Sequence, residues 1–478
     1  MPLSVDVAVI GAGVNGAVAA WLLGRAGLRV AVVDVNALPG GLAGGRVSHG
    51  APGGRYAYAL GLVPREVWRL LGVDPDSLYL PDPSWVELGA DGSPVLRWWS
   101  SPGRLRVELR EAGLEGVWGL LLDSSRLLRC LAEEGMYYTP CPPSRSEAAT
   151  GLPRGCPQGI LGTPTRRVLA SSAPRRAWDL LIYPSMLDSD GFALAYYLQN
   201  MNIWAQPPGG SMMWLSRLLL RLLRGAGVYL VQGRADAILV EHGRAVGVAL
   251  RDGRTVRARA VLYAASLPAL PRLGGVDRGV PEADLRALES LAERKSWVTR
   301  VDFYTRSPPR PPREEGWRGV PIYVYWPGGG GEYTYPGLIA GPGRGGLYLV
   351  QASGSPVGIT PPGVVEEGIA AVEEHGPGSQ DRCCMNPTGH PDHIPMIDPF
   401  LYDTRPLPGW GDYTTPLPGL YHGSASSYPG GEVNMVAGIN AAIRILLDMG
   451  HVEPWRLLGP LAAYARRGME RCRRGRPP

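Results

Sequence analysis

A glycine-rich stretch near the beginning of the chain has the spacing of a dinucleotide-binding turn. Its residues follow the pattern G-x-G-x-x-G and are Gly11, Ala12, Gly13, Val14, Asn15 and Gly16. In this pattern Gly11 permits a tight turn, Gly13 lets a pyrophosphate approach the backbone, and Gly16 lets a helix pack closely on a strand. The N-terminus of the following helix offers unpaired N–H groups and a partial positive charge to the phosphates. The stretch therefore predicts a bound dinucleotide.

The elements around this stretch place it in a β-α-β unit. Val5 to Ile10 predicts a buried strand, Asn15 to Ala26 a helix, and Arg29 to Val33 a second strand. A right-handed crossover makes the two strands parallel neighbours, with the helix start beyond their carboxyl ends. Asp34 ends the second strand, where a carboxylate accepts hydrogen bonds from an adenosine ribose and disfavours a 2′-phosphate. This arrangement suits NAD and FAD equally.

A second glycine-dense loop, Pro39 to Arg46, distinguishes the two cofactors. It contains Gly40, Gly41 and Arg46, at the place where flavoproteins of the phytoene desaturase and amine oxidase kind carry a G-G element alongside the cofactor. The sequence resembles that superfamily, and most of all its phytoene desaturase-like branch, which includes carotenoid ketolases, retinol saturases and pyridine nucleotide-disulfide oxidoreductase domain proteins. The resemblance implies FAD on a Rossmann-type domain.

Four separated blocks carry the resemblance. They are Asp6 to Arg46, Tyr56 to Gly72, Gly209 to Ala265, and Arg405 to Leu447. The third block, which begins with Gly209 and Gly210, resembles the second cofactor-binding segment of the family. In that segment Ala235 takes the place of a residue whose backbone touches the adenine ring.

The fourth block contains a Pro-Gly-Gly turn that enters a helix predicted over Val433 to Leu447. Its residues implied to contact the flavin are Gly423, Gly430, Gly431, Glu432 and Val433. A helix N-terminus here presents N–H groups to the flavin N1–C2=O edge, where negative charge develops on reduction. Glu432 departs from the small residue usual in the family. Its carboxylate either faces the flavin and opposes the reduced anion or, as we prefer, faces solvent.

We expect the cofactor, and not a protein side chain, to carry out the reaction. Amine oxidases of this superfamily usually place a lysine that holds a water beside flavin N5, and the corresponding place near Thr299 to Asp302 has Arg300 instead. Arg300 and Tyr428 are the two candidate catalytic residues. The histidines have no metal-ligand spacing, and the six cysteines form no C-x-x-C pair. We therefore predict no metal and interpret the cysteines as buried or incidental thiols.

Composition and charge exclude several classes of protein. The chain has 478 residues, 45% of them hydrophobic and 19% charged, with a formal net charge of +5, as expected for a globular protein of two domains. No basic stripe with interleaved aromatics predicts nucleic-acid binding. Lys295 is the only lysine, a bias that fits either a GC-rich genome or a hot habitat.

Membrane and export signals are also missing from the sequence. It begins without a signal peptide and contains no run of about 18–20 apolar residues, so we expect a cytoplasmic protein. Arg217, Arg221 and Arg224 recur on one helix face, which we interpret as a solvated face. Peripheral membrane contact stays open and is not predicted.

The remaining patterns predict an α/β protein whose FAD-binding domain is assembled from discontinuous segments. We assign residues 1–74, 207–280 and 400–450 to this domain, residues 75–206 and 281–399 to an inserted α+β substrate domain, and residues 451–478 to a basic tail with frayed final residues. Pro140 to Arg176 is interpreted as a loop or insertion. The later elements predicted for the FAD-binding domain are a helix at Met212 to Leu223, strands at Val228 to Gln232, Thr255 to Leu262 and Leu420 to Gly423, and a hairpin of Ala237 to Glu241 with Ala245 to Leu250.

The expected activity is hydride transfer between a substrate C–H and flavin N5. The resemblance implies a desaturase or dehydrogenase acting on an apolar, isoprenoid-like small molecule, with an electron acceptor that the sequence does not identify. Two alternatives stay open: a flavin amine oxidase, and a non-catalytic binding or escort protein on the same fold.

Overall fold

The computed structural model describes residues 3–55, 57, 59–60, 62–78, 80, 82–88, 94–182, 186–199, 205, 207–208, 211–291, 299–307, 323–325, 334–336, 347–354, 369–375, 401–431 and 433–475. The strands in these residues are β1 (Leu3–Ile10), β2 (Val30–Asp34), β3 (Gly45–Ser48), β4 (Ala51–Gly54), β5 (Trp85–Leu88), β6 (Pro94–Trp98), β7 (Tyr229–Gln232), β8 (Ala235–Glu241), β9 (Arg244–Leu250), β10 (Thr255–Tyr263), β11 (Thr299–Thr305), β12 (Tyr323–Tyr325), β13 (Thr334–Pro336), β14 (Tyr348–Gly354), β15 (Ile369–His375) and β16 (Leu420–His422).

Helices connect and cover these strands. They are α1 (Val14–Arg25), α2 (Arg65–Leu70), α3 (Pro102–Glu111), α4 (Glu115–Glu133), α5 (Arg145–Thr150), α6 (Thr165–Ser172), α7 (Trp178–Leu181), α8 (Gly191–Leu198), α9 (Met213–Gly225), α10 (Glu282–Leu291), α11 (Val436–Asp448) and α12 (Ala462–Gly475).

The predicted β-α-β unit forms the centre of the first sheet. Its strand order is β7-β2-β1-β10-β9-β8, and β16 also pairs with β10. β1 lies parallel to both β2 and β10, so that Ile10 is beside Val33 on one side and Tyr263 on the other. The carboxyl ends of three strands therefore meet beside Gly11. The predicted α/β fold is confirmed.

The second sheet has the order β15-β11-β14-β13-β12-β5-β6. Its pairs are antiparallel apart from β12 with β5. Its strands come from parts of the chain assigned to the substrate domain, whereas those of the first sheet come from the FAD-binding segments. The domain limits themselves stay a prediction.

The segment interpreted as irregular contains a helical layer, so the prediction of a loop over Pro140 to Arg176 is wrong. Helices α5 and α6 lie within it, and the longer α4 precedes it. Ser144 begins α5 with a capping box, in which its hydroxyl accepts from the Glu147 backbone and the Glu147 carboxylate accepts from the Ser144 backbone. Proline and serine at such positions start helices as well as break them.

The C-terminal tail is also more ordered than predicted. Helix α12 buries Ala465 and Met469, and Gly468 packs so closely on Tyr138 that an added Cβ would lie 2.8 Å from the Tyr138 carbonyl oxygen. Up to Gly475 the tail therefore folds against the segment after α4 instead of fraying.

The interpretation of the cysteines as thiols is wrong for four of them. Cys130 pairs with Cys156 and Cys141 with Cys472 as disulfides. Cys383 and Cys384 lie outside the described residues. The sequence separations are 26 and 331 residues, so neither pair has a spacing that a motif search recognises. The second disulfide attaches helix α12 to the segment around Tyr138.

Loss of the Cys141–Cys472 disulfide is expected to destabilise the protein more than loss of Cys130–Cys156. A cross-link restricts the unfolded chain more as the closed loop lengthens, which gives about 6 kcal/mol for the long loop and about 3.5 kcal/mol for the short one. Guanidinium unfolding of Cys472→Ser and Cys156→Ser, two half-buried positions, measures the difference. A smaller loss in Cys472→Ser, or free thiols at all six cysteines in unreduced denatured protein, would contradict the pairing.

Candidate cofactor site

The turn Gly11 to Gly16 leaves room for a ligand on one side and is tightly packed on the other. Gly11 has a φ of +98°, which favours glycine. A Cβ on Gly16 would lie 2.1 Å from the Gly11 carbonyl oxygen, whereas a Cβ on Gly13 would meet no atom within 4 Å. Gly16 therefore lets α1 pack on the strands, and the space beside Gly13 fits the approach of a pyrophosphate.

Asp34 connects the end of β2 to this turn. Its Oδ2 accepts a hydrogen bond of 2.6 Å from the Ala12 backbone N–H, and its Oδ1 accepts from the Asn36 backbone at 2.7 Å. The carboxylate is only partly buried and thus reachable by a ribose hydroxyl. Asp34 therefore shapes the turn as well as offering acceptor oxygens beside it.

The second glycine loop packs directly on the first. The Gly40 N–H donates to the Ala12 carbonyl at 2.7 Å. Gly41, with a φ of +55°, lies so close that an added Cβ would be 2.9 Å from the Gly13 Cα. Ser216 of α9, which the sequence analysis missed, donates to the Pro39 carbonyl at 2.6 Å and accepts from the Gly45 N–H at 2.9 Å. One serine thus fixes both ends of the loop.

Arg46 follows this loop and pairs with a residue that the sequence analysis did not select. Its Nη2 lies 2.6 Å from Oδ2 of Asp302 in β11. Asp302 is fully buried, and the Arg46 side chain is 19% exposed. Contact between residues 256 positions apart has no local sequence signal.

The fourth block contacts the first glycine turn at the place where helices α1 and α11 begin. The side-chain oxygen of Asn15, a buried residue in the first turn of α1, accepts from the Gly438 N–H of α11 at 3.1 Å. A Cβ on Gly438 would lie 2.1 Å from the Asn15 carbonyl oxygen. The two helix starts therefore meet in close contact. Both direct a partial positive charge towards the region beyond the strand ends.

The Pro-Gly-Gly turn is held by polar side chains at its exit. The Tyr196 hydroxyl donates to the Gly431 carbonyl at 2.9 Å and accepts from the Asn434 side-chain amide. The Asn434 side-chain oxygen accepts from the Val436 N–H at 2.9 Å, and Met435 has a φ of +69°. Consequently α11 begins at Val436, three residues after the predicted start at Val433.

The other residues predicted in this block have defined surroundings. Gly423 lies at the end of β16, where a Cβ would be 2.6 Å from the Ala441 Cβ, so it lets β16 approach α11. Val433 is buried in the core. Glu432 lies outside the described residues, and its orientation stays a prediction.

Tyr428 supports the turn from the side of the helical layer. Its ring is buried, its hydroxyl donates to the Met136 carbonyl at 2.8 Å, and its own carbonyl accepts from the Tyr413 hydroxyl at 2.8 Å. Burial raises the pKa of Tyr428 well above its ordinary value. A neutral hydroxyl bonded to the backbone favours a positioning role over the catalytic role considered for it.

His422 sits at the centre of a buried polar network just before this turn. Its Nε2 lies 2.7 Å from the Trp410 carbonyl oxygen and its Nδ1 lies 2.7 Å from the Ser427 hydroxyl. Since a carbonyl only accepts, the neutral ring donates from Nε2 and accepts at Nδ1. Arg405, also fully buried, donates to the carbonyls of Ala425 at 3.1 Å and Ser427 at 3.3 Å. These contacts fix the backbone leading to Gly430.

Acid is expected to destabilise the protein through His422. Burial lowers the pKa of this ring to about 4, below the ordinary value of about 6.5, so the unfolded chain takes up a proton that the folded chain excludes. Stability is full at about pH 8 and falls by about 2 kcal/mol by pH 5. Urea unfolding at both pH values measures the loss. An equal loss in His422→Gln would assign the effect to other groups.

The remaining predicted residues lie at the edges of this arrangement. Ala235 begins β8, shortly after Gln232, which pairs with Asp34. Arg300 lies in β11, two residues before Asp302, but its side chain, like Gly209 and Gly210, lies outside the described residues. Arg217, Arg221 and Arg224 are exposed on α9, as expected for a solvated face, while four of its leucines are buried: Leu215, Leu218, Leu219 and Leu223.

The described residues contain neither a metal-ion site nor a membrane-spanning helix. No group of His, Cys, Asp or Glu side chains there is arranged to hold a metal ion. No helix in that part of the chain has the length and apolar character to cross a membrane.

Comparison with known proteins gives a family match for the first part of the chain and a shared fold for most of it. Residues 6–134 match the FAD dependent oxidoreductase family. No curated protein matches the chain. Among solved structures, a triple mutant of putrescine oxidase is 14% identical with a TM-score of 0.58, over 94% of this chain and 99% of that one. Cyclohexylamine oxidase from Brevibacterium oxydans is 16% identical, with a TM-score of 0.54, over 93% and 99%.

A solved structure of a mutase has the same fold as these oxidases. Reduced UDP-galactopyranose mutase is 11% identical with a TM-score of 0.56, over 96% of this chain and 98% of that one. At these identities the structural neighbours show the fold. With the family match, they confirm FAD as the predicted cofactor and leave the phytoene desaturase-like branch a prediction.

Proposed function

We propose that this protein, whose residues 6–134 match the FAD dependent oxidoreductase family, transfers a hydride between a substrate C–H and flavin N5. The finer proposal is a desaturase or dehydrogenase that acts on an apolar, isoprenoid-like small molecule.

The observation that carries the proposal is the contact among three glycine-containing segments. They are the turn Gly11 to Gly16, the loop Pro39 to Arg46 and the start of α11. The turn at Gly13 contacts the loop at Gly41, and the start of α1 contacts the start of α11 through Asn15 and Gly438. A nucleotide-binding turn alone would suit many dinucleotides. The added loop and the second helix N-terminus support a cofactor that extends past the pyrophosphate to a flavin ring.

The residues of the chain bind and orient this cofactor. FAD, when bound, supplies the hydride-accepting ring. The space beside Gly13 would admit the pyrophosphate, Asp34 would accept from the ribose, and the partial positive charge at the start of α11 would stabilise negative charge at the flavin N1–C2=O edge. Tyr196, Asn434 and Tyr428 hold the turn that leads into this helix.

The apolar substrate rests on the resemblance to the phytoene desaturase-like branch. Tyr196 is buried and donates to the Gly431 carbonyl, so this aromatic side chain supports the cofactor turn. The full-length likeness to putrescine and cyclohexylamine oxidases favours an amine oxidase as the second candidate. Against that candidate, β11 contains no lysine for the water-holding role.

Anaerobic reduction of the FAD-loaded protein tests the proposal. We expect a hydrogenated isoprenoid to bleach the flavin absorbance, while putrescine and cyclohexylamine leave it unchanged. Bleaching by amines alone would establish the second candidate. A flavin that binds but is reduced by neither class would contradict both substrate proposals, and a chain that binds no FAD would contradict the oxidoreductase itself.

A further inference from the structure

The ion pair between Arg46 and Asp302 joins the cofactor loop to the second sheet. We infer that Asp302 is a positioning residue, which holds Arg46 at the flavin and makes FAD affinity depend on the second sheet. The inference rests on the proposed function, because it assumes that the site binds FAD. No sequence pattern predicts a contact between the two residues. Strand β11 lies in the part of the chain assigned to the substrate domain.

The contact has the geometry of a strong, shielded ion pair. The Arg46 Nη2 lies 2.6 Å from the Asp302 Oδ2, and the Asp302 side chain is 0% exposed. The same Nη2 is 3.4 Å from the Tyr304 hydroxyl. The Tyr304 ring lies against His49, with 4.6 Å between ring centroids. A charged hydrogen bond of this length in a buried place fixes direction as well as distance.

The backbone under Arg46 is fixed independently of Asp302. Arg46 lies in β3, which follows the turn Gly41–Ala43 after one residue. The preceding Gly45 donates to Ser216, and a Cβ on Gly45 would lie 2.4 Å from the Met213 Cα. Since α9 already holds the strand, the contribution of Asp302 is to the direction of the arginine side chain.

Asp302 is itself held in the interior of the second sheet. Its strand β11 pairs with β14 on one side, at Gln351, and with β15 on the other, at Glu373. A residue in a strand that is paired on both sides moves with the sheet. The second sheet therefore sets the position of Asp302 and, through it, the direction of Arg46.

The guanidinium chemistry allows this arginine to serve two partners. Its five N–H donors form a rigid planar fork, so one edge can bind a carboxylate while another contacts an anionic or carbonyl group of the cofactor. A buried carboxylate also neutralises the arginine, which would otherwise be a charge partly removed from water. Without Asp302, the arginine is expected to turn from the cofactor towards solvent.

Equilibrium titration of apoprotein with FAD tests the inference without requiring turnover. Asp302→Asn keeps the shape of the side chain and removes its charge, and we expect it to raise the FAD Kd at least about fivefold. Arg46→Ala should raise the Kd at least as much. The double variant should bind no more weakly than Arg46→Ala, because the two residues act through one contact. Asp302→Glu should restore part of the affinity.

A matched control separates this effect from general loss of an ion pair. Glu108 in α3 pairs with Arg97 at 3.4 Å, with side-chain exposures of 17% and 27%, and lies away from the glycine loops. Glu108→Gln is expected to lower the melting temperature without changing the FAD Kd. If Asp302→Asn does not fold, Arg46→Lys tests the same contact, because lysine retains the charge and lacks the fork.

The possible outcomes distinguish this inference from the proposed function. Wild-type FAD affinity in Asp302→Asn, or in Arg46→Lys where the first variant is unfolded, would overturn the positioning role and leave the oxidoreductase proposal intact. Additive losses in the double variant would also overturn it. Failure of the wild-type chain to bind FAD would overturn both.

Discussion

Gly13→Ala is expected to leave the apoprotein folded and to weaken FAD binding by about 10- to 200-fold. A Cβ at Gly13 meets no protein atom within 4 Å, and the backbone there has φ −59° and ψ 172°, which alanine adopts without strain. The added methyl group would therefore occupy only the space through which the pyrophosphate approaches. The variant therefore separates an effect on FAD affinity from an effect on folding.

Two other glycines serve as controls for this variant. Gly119 in α4 is exposed and also has no atom within 4 Å of an added Cβ, so Gly119→Ala should leave affinity unchanged and raise stability by about 0.5–1 kcal/mol, because alanine is the better helix former. Gly16→Ala should lose both, because its Cβ would lie 2.1 Å from the Gly11 carbonyl oxygen, and overpacking costs about 1–3 kcal/mol. Wild-type FAD affinity in Gly13→Ala would contradict the assignment of the pyrophosphate to this turn.

Asp34→Ala is expected to lower FAD affinity by about 100-fold or more. Two contributions combine in this variant: the ribose loses a charged acceptor, and the Ala12 N–H loses the 2.6 Å hydrogen bond that shapes the turn. Each lost charge-assisted hydrogen bond corresponds to about 1.5–3 kcal/mol, and a factor of ten corresponds to about 1.4 kcal/mol. Asp34→Asn should lose less, since its amide oxygen still accepts one bond. Fluorescence titration of apoprotein with FAD measures both.

Asp74 provides a matched control for Asp34. Between α2 and β5 its carboxylate likewise accepts from a backbone N–H two residues ahead, that of Asp76 at 3.0 Å, but it is exposed and follows no strand of the first sheet. Asp74→Ala should change local stability without changing the FAD Kd. Equal losses of affinity in the two alanine variants would contradict a specific role for Asp34.

The sequence was sufficient to predict the part of the site that is local in the chain. The turn at Gly11, the helix α1 and Asp34 lie within one β-α-β unit, and each has a side-chain or backbone requirement that restricts the residue type. The hairpin β8–β9 was equally predictable, since apolar residues alternate on either side of His242 and Gly243.

Contacts between distant segments could not be predicted in the same way. Arg46 and Asp302 are 256 residues apart, and Asn15 and Gly438 are 423 residues apart. A buried aspartate in a strand has no pattern of its own, because its burial depends on a partner from another part of the fold. The disulfide partner of Cys141 at Cys472 has the same origin.

Some features were missed although the sequence contained a signal. Helix α4 has apolar residues at helical spacing, among them Val117, Leu120, Leu121, Leu127 and Leu131, all of which are buried. In α12, Ala465 and Met469 lie four residues apart and face the core. In both helices the apolar stripe decides how the helix packs, whatever the charge of the other face.

Retention of FAD by the purified full-length protein tests the central claim most directly. After incubation with FAD and gel filtration, we predict the visible spectrum of a bound flavin and release of one FAD per chain on denaturation, with Gly13→Ala losing most of it and Gly119→Ala none. A folded wild-type protein that leaves the column colourless after this treatment would contradict the assignment of the three glycine segments to FAD.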